Sequence, residues 1–344
     1  MRLLFAGLGG IGQRHVRNLR NLLGPEVEID VYRVRRDQRV LSDTLRIEAE
    51  TGLEEKYGLR AFTDLGAGLA RNPDAVFVCN PTSLHLEVAL EAARAGCALF
   101  IEKPLSHDAT GVDELADLVE TKHLTAFVGY QLRFHPCLLR LGELLSQAAV
   151  GHVVAVQVEV GEYLPGWHTY EDYRQMYASR ADLGGGVVLS QIHELDYVFW
   201  LFGRPRRAFA LGGHLSGLEV DVEDVASTLF ECVVDGRRVP VHVHQDYLQR
   251  PPTRTCRVIG DAGRIDVDLG RLTVTAFDAD GEVGEQADFA GFERNELFLR
   301  EMAHFLACLR GEEEPKVTVR DAIGSLTMAL AARESLATGR VVTL

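Results

Sequence analysis

The 344-residue sequence is short of positive charge. It has 36 Lys and Arg against 50 Asp and Glu, a formal net charge of −14. Nucleic acids and membrane surfaces are polyanionic, so neither is expected as the main partner. The local exception is a basic patch at Arg33, Arg35 and Arg36. The sequence also lacks any C-x-x-C pair. Its six cysteines stand singly at Cys79, Cys97, Cys137, Cys232, Cys256 and Cys308. That pattern gives no disulfide framework and no zinc site, and Cys79 and Cys308 lie in apolar runs that read as buried free thiols. No apolar run is long enough for a membrane span or a signal peptide. The expected location is therefore cytoplasmic. Internal repeats and low-complexity tracts are absent too.

What is present divides the chain in two, as its length suggests at about 150 residues per domain. Up to residue 128, short apolar runs alternate with helical patterns. Strands are expected at Arg2–Ala6, Val27–Tyr32, Asp74–Cys79, Ala98–Ile101 and Ala126–Gly129. Helices are expected at Ile11–Leu23, Glu48–Tyr57, Leu84–Ala95 and Gly111–Lys122. This rhythm implies βαβ units on a parallel sheet. From residue 129 the rhythm changes. A helix at Pro136–Ala149 is followed by seven strand-like segments between Val153 and Phe277, with hairpin signals at Asp235-Gly236 and Asp280-Gly281. Consecutive strands of this kind imply antiparallel pairing. One glycine-led helix is expected over 184–202, and two more close the chain. The expected fold is α/β: an N-terminal Rossmann doubly wound domain (1–128), then an α+β domain with a large, mostly antiparallel sheet (129–344).

Gly7-Leu8-Gly9-Gly10-Ile11-Gly12 follows the first strand and opens a helix. In a G-x-G-x-x-G turn the first glycine permits the turn and the second lets backbone approach a diphosphate. The third lets helix pack on strand. The free N–H groups of the helix then face the anion. Gly7, Gly9, Gly10, Ile11 and Gly12 are thus candidate cofactor residues. The second strand ends at Tyr32-Arg33. NAD-binding chains usually place a carboxylate there for the ribose hydroxyls. Arginine suits a 2′-phosphate instead, so Arg33, Arg35 and Arg36 predict NADP(H) over NAD(H). The alternative is a solvated basic loop with NAD as cofactor.

Two further motifs are more specific. Ile101-Glu102-Lys103-Pro104-Leu105 follows a strand and places a lysine at the carboxyl end of the sheet, where ligands bind. Gly184-Gly185-Gly186, followed seven residues on by His193-Glu194-Leu195-Asp196, places a histidine on a glycine-led helix. Together these resemble the Gfo/Idh/MocA oxidoreductases, the group of glucose–fructose oxidoreductase and inositol dehydrogenase. Asn80-Pro81-Thr82-Ser83-Leu84-His85 is similar to that family's segment along the cofactor, and 318–335 to its C-terminal helix. The resemblance covers nearly the whole chain.

It implies hydride transfer between nicotinamide and a hydroxyl or keto carbon of a sugar, nucleotide-sugar or cyclitol, with Lys103 and His193 as the catalytic pair. It adds Asn80, Pro81, Thr82, His85, Glu102 and Lys103 to the candidate cofactor residues. The chemistry is sensible in itself: a near-neutral imidazole can accept and return the hydroxyl proton, and an ammonium stabilises developing alkoxide. The bland alternatives are a solvated loop lysine and a satisfied core histidine. One departure stands out. Many members carry an aspartate four residues before the histidine; here Leu189 stands there and Ser190 at three, so a Lys–Asp–His triad is not expected. Asp196 could orient His193 or be structural.

The loop from Glu162 to Tyr177 is rich in aromatic and polar groups, which suits a carbohydrate. Tyr163, Trp167, His168, Asp172 and Tyr173 are candidate substrate residues, with Ser190 and Arg133. An interdomain or subunit contact is the alternative for this loop. His242-x-His244 shares one strand face, but no third ligand is indicated and no metal is expected. A homodimer or homotetramer is expected, to cover an open sheet face. Two other classes of function stay open: a cofactor-binding sensor without turnover, and a redox-neutral enzyme whose nicotinamide cycles in place.

Overall fold

The computed structural model describes residues 1–34, 38–42, 44–49 and 52–344. Arg35 and Arg36 lie outside them. In chain order the first part contains β1 (Arg2–Ala6), α1 (Gly10–Leu23), β2 (Glu28–Tyr32), β3 (Val40–Leu41), β4 (Ile47–Ala49), α2 (Leu53–Tyr57), β5 (Arg60–Phe62), α3 (Leu65–Leu69), β6 (Ala75–Val78), α4 (His85–Arg94), β7 (Ala98–Glu102), α5 (Val112–Thr121) and β8 (Ala126–Gly129). Six of these strands form a parallel sheet in the order β5-β2-β1-β6-β7-β8. Order reverses beside β1, which places the ligand crevice at the carboxyl ends of β1 and β6. The sheet is apolar on both faces. Phe5, Phe77, Phe100 and Phe127 are fully buried along it.

The second part contains α6 (Pro136–Ser146), β9 (Val153–Gly161), α7 (Val187–Ser190), α8 (His193–Phe202), β10 (Arg207–Gly213), β11 (Val225–Val234), β12 (Arg237–Asp246), β13 (Thr253–Gly260), β14 (Gly263–Asp268), β15 (Thr273–Phe277), β16 (Val283–Asp288), α9 (Arg294–Leu309), α10 (Val319–Thr338) and β17 (Val342–Thr343). The nine strands run β16-β15-β14-β13-β9-β12-β11-β10-β17. The Asp235-Gly236 turn joins β11 to β12 with both residues at positive φ, 49° and 77°, as a tight hairpin requires.

The sheet is mostly antiparallel, as expected; its one parallel pair is β9 with β12, Val241 opposite Val156. Two expectations need correction. The helix expected over 48–57 starts only at Leu53, because Gly52 sits at φ 80° and residues 47–49 are strand. The helix expected over 184–202 is broken. Gln191 leaves helical geometry at φ −100°, ψ 35°. Its amide donates to the Asp246 carbonyl, and its own carbonyl accepts from the Gln245 amide, both at 2.9 Å. The break makes His193 the first residue of α8 rather than a mid-helix residue.

Candidate active site

The glycine turn has the shape that its spacing implies. Gly7 lies at φ 93°, and a Cβ there would fall 2.8 Å from the Cys79 carbonyl oxygen. A Cβ on Gly12 would fall 2.8 Å from the carbonyl oxygen of Gly7. Both glycines are therefore demanded by packing. A Cβ on Gly9 would meet nothing within 4 Å. That open side, with no acidic residue in the first turn of α1, fits a dinucleotide diphosphate against the helix start. Asn80, Pro81 and Thr82 follow β6 beside it. Asn80 donates from Nδ2 to the Leu84 carbonyl, while its Oδ1 is buried without a hydrogen-bond partner among the described residues.

Lys103 follows β7 directly. Its ammonium donates to the carbonyl of Ser190, the last residue of α7, at 2.7 Å. This bond ties the end of the parallel sheet to the turn that carries His193, three residues on. His193 is buried, and its Nδ1 has no hydrogen-bond partner among the described residues. Burial is the first cause that holds its pKa well below the usual imidazole range, with the charges of Lys103, Arg254 and Arg294 adding to it. The positive end of α8 acts in the same direction. The imidazole is thus neutral at pH 7. Tyr130 meets it edge-on, with ring centroids 5.8 Å apart.

Other expected site residues are placed differently. Arg133 does not face the cleft. It makes a buried two-pronged ion pair with Asp196, at 2.9 and 2.8 Å, and Asp196 also accepts from Ser325 at 2.9 Å. Asp196 therefore belongs to Arg133 and does not orient His193. Glu102 turns away from the cleft: it is buried and bonds His15 Nε2 at 2.6 Å. His85 sits 2.8 Å from both the Pro104 and Asn80 carbonyls. Burial lowers its pKa, so the neutral ring donates to one carbonyl at a time. It braces the two loops that frame the cleft. Arg33 pairs with Glu54 at 3.2 Å.

The aromatic loop splits as well. Trp167 packs edge-on against Tyr247, with its Nε1 buried and lacking a partner among the described residues. Tyr163 lies under the Arg250 guanidinium at 3.9 Å. Ser190 is buried, its Oγ without a partner among the described residues. Tyr173 is engaged elsewhere: its hydroxyl accepts the Glu219 N–H, and Arg174 covers its ring. His168 pairs with Glu171 and stacks on Tyr170 near the glycine turn, away from the lysine end. Asp172 caps a short helical turn by accepting the Arg174 N–H. His242 bonds Ser227 and His244 bonds Asp246. Among the described residues no His, Cys, Asp or Glu group could hold a metal.

The sequence reading missed the ion pair of the buried Glu194 with the half-buried Arg254, 2.9 Å apart, beside His193. The signal was available: a charged residue next to a histidine in an apolar helix needs a partner.

His135 caps α6 through Nδ1, which accepts the Cys137 N–H. Burial first, then Arg254, lowers its pKa from 6.5 to about 4. The unfolded chain therefore binds this proton first as pH falls. The stabilising contribution is complete above pH 6.5 and is lost on the way to about pH 4. Asparagine keeps an N-cap acceptor without a proton to gain. The gap in urea-unfolding free energy between wild type and His135→Asn should close by about 2 kcal/mol between pH 7.5 and 5. A constant gap would refute the assignment.

Comparison with known proteins now adds to this geometry. The oxidoreductase-family pattern with an NAD-binding Rossmann fold matches residues 1–130, and the C-terminal domain pattern of the same family matches 138–266. The chain belongs to the Gfo/Idh/MocA family. It is an NAD(P)-dependent oxidoreductase. Among similar Gfo/Idh/MocA proteins, myo-inositol 2-dehydrogenase of Thermotoga maritima is 27% identical, covering 100% of this chain and 98% of its own. The WlbA dehydrogenase of Bordetella pertussis, solved with NADH and UDP-GlcNAcA, has a TM-score of 0.78 at 23% identity, covering 100% and 98%. The UDP-N-acetylglucosamine 3-dehydrogenase GnnA of Acidithiobacillus ferrooxidans has a TM-score of 0.72 at 22% identity, covering 98% and 97%. At such identities the likeness to the two solved structures is one of fold.

Proposed function

We propose that this enzyme interconverts a hydroxyl and a keto group on a sugar, nucleotide-sugar or cyclitol, with Lys103 and His193 as its catalytic pair. The supporting observation is the 2.7 Å bond from Lys103 to the Ser190 carbonyl, which sets the ammonium beside the turn that leads into the neutral His193. Residues 1–128 form the nucleotide half. The turn Gly7 to Gly12 would hold the diphosphate, with Asn80, Pro81 and Thr82 alongside. Bound there, the nicotinamide supplies or accepts the hydride. Residues 129–344 supply the substrate wall, including Tyr163, Trp167 and Ser190.

Oxidation of a carbinol needs its O–H proton removed. A neutral His193 can accept that proton, and returns it in the reverse direction. The Lys103 ammonium stabilises negative charge on the same oxygen. The names of the inositol and UDP-sugar relatives agree with a polyhydroxylated substrate. The test is a panel of myo-inositol, UDP-N-acetylglucosamine and simple hexoses with NADP⁺ or NAD⁺, followed by absorbance of the reduced nicotinamide. Turnover of none, with cofactor bound, would favour the sensor reading.

The finer cofactor choice is NADP(H). Arg33 directly follows β2, where a carboxylate is usual, and Glu54 steadies its guanidinium. A 2′-phosphate would displace Glu54. Arg33→Ala should cut the NADP⁺-over-NAD⁺ ratio of kcat/KM about tenfold, and Glu54→Gln should raise it. A wild type that prefers NAD⁺ would refute this choice. All six cysteines are free and buried, in keeping with a cytoplasmic setting. Exposed Leu211 and Leu229, on neighbouring strands β10 and β11, suit a homo-oligomer, which sedimentation would reveal.

A further inference from the structure

The loop read from sequence as a substrate wall reaches a second place. Tyr170, in the loop after β9, crosses to the nucleotide turn. Its hydroxyl lies 3.2 Å from where a Cβ on Gly10 would stand, and Gly10 is the first residue of α1. Leu41 and Leu45 flank the same spot.

The crossing is built, not incidental. Gln13, one turn into α1, donates to the Arg39 carbonyl at 3.0 Å and accepts the Leu41 N–H at 2.8 Å. These two bonds bolt residues 39–41 to the nucleotide helix. Arg39 then donates to the Tyr170 carbonyl at 2.6 Å, with its guanidinium 5.5 Å from the Tyr170 ring centroid. His168 stacks on the same ring, with centroids 5.1 Å apart. These contacts hold the ring with its hydroxyl beside the helix start. A phenol O–H is a donor at a place where an anion is expected. The Tyr170 hydroxyl lies 3.4 Å from His168 Nδ1, which is itself engaged with Glu171 at 2.7 Å.

We propose that Tyr170 is a cofactor-binding residue delivered by the second domain, its hydroxyl closing over the glycine turn to hydrogen-bond the diphosphate. This rests on the reading that the turn holds the diphosphate. Arg39 is the positioning residue that brings the strap down. Cofactor affinity and the docking of the substrate domain are coupled as a result, because the strap and the substrate wall at Tyr163 and Trp167 are one segment. The opposite arrangement, a strap that blocks the turn, predicts the opposite sign.

Tyr170→Phe removes only the hydroxyl and keeps the ring. Dissociation constants of the full-length protein for NADPH, NADH and ADP-ribose are measured by fluorescence or calorimetric titration. Wild type is expected to bind, and Tyr170→Phe to bind NADPH, NADH and ADP-ribose about tenfold more weakly, since all three carry the diphosphate. Arg39→Met is expected to weaken them in the same direction with Tyr170 intact. Unchanged or tighter binding in both variants would overturn the proposal while leaving the glycine-turn reading in place. A loss confined to the dinucleotides, with ADP-ribose unaffected, would also overturn it. A wild type that binds none of the three would overturn the glycine-turn reading and the proposal together.

Discussion

Lys103→Met is expected to lower kcat by about a thousandfold while the cofactor still binds. In the proposed role the ammonium serves the reacting oxygen, and removal of one group that stabilises charge in a transition state costs about 10²–10³ in rate. Its bond to the Ser190 carbonyl is lost too, so the turn into His193 loses a tether. Methionine keeps the length and apolar stem but has no donor. Lys103→Arg should not rescue, because a planar fork cannot occupy the place of a compact ammonium. Cofactor titration separates the two effects: kcat should collapse while the dissociation constant moves little. Turnover at the wild-type rate would remove Lys103 from the chemistry.

In the proposed role as base, His193 sets the pH dependence. Its pKa lies well below 6.5 in the folded chain, so the base form persists into mildly acidic solution. The acidic limb of kcat/KM for oxidation should therefore fall below pH 6.5.

The second large effect concerns stability. Arg133→Met is expected to destabilise the protein by about 4 kcal/mol, because it strands a buried carboxylate. Both members of the pair are buried, and the guanidinium engages both oxygens of Asp196. Burial already pulls the Asp196 pKa up, against the opposing pull of Arg133. Without Arg133 the carboxyl must take up a proton or draw in water. The double variant Arg133→Met/Asp196→Leu should recover much of the loss. Thermal unfolding of the three proteins reads this directly. Single and double variants of equal stability would refute the pairing as the cause.

This pair also shows where sequence reading stops. Arg133 and Asp196 are 63 residues apart, and nothing local in Arg133-Phe-His-Pro136 distinguishes a substrate contact from a buried strut. The same holds for Arg33 and Glu54: the strand end was legible, but its carboxylate partner arrives from α2. The parallel pairing of β9 with β12 is equally remote, because alternation of apolar residues marks a strand and says nothing of its neighbour's direction. Local rules did better where one short segment decides the outcome. The glycine turn follows from Gly7 and Gly12, which must accommodate close backbone, and Lys103 follows from its place just after a buried strand. His193 was legible as a residue, yet its position as the first of α8 depended on a break at Gln191 that is fixed by Gln245 and Asp246, more than fifty residues on. The Tyr170 strap lay inside a loop whose aromatic content was visible and whose destination was not.

The central claim is that Lys103 and His193 serve hydride transfer from a polyol carbon to nicotinamide. The most direct measurement uses a substrate from the inositol and UDP-sugar panel, deuterated at its carbinol carbons, with NADP⁺ or NAD⁺. Mass analysis of the reduced cofactor is predicted to show one deuterium gained, and Lys103→Met should gain none on the same timescale. Reduced cofactor without deuterium, or a bound cofactor that no substrate of the panel reduces, would contradict the account.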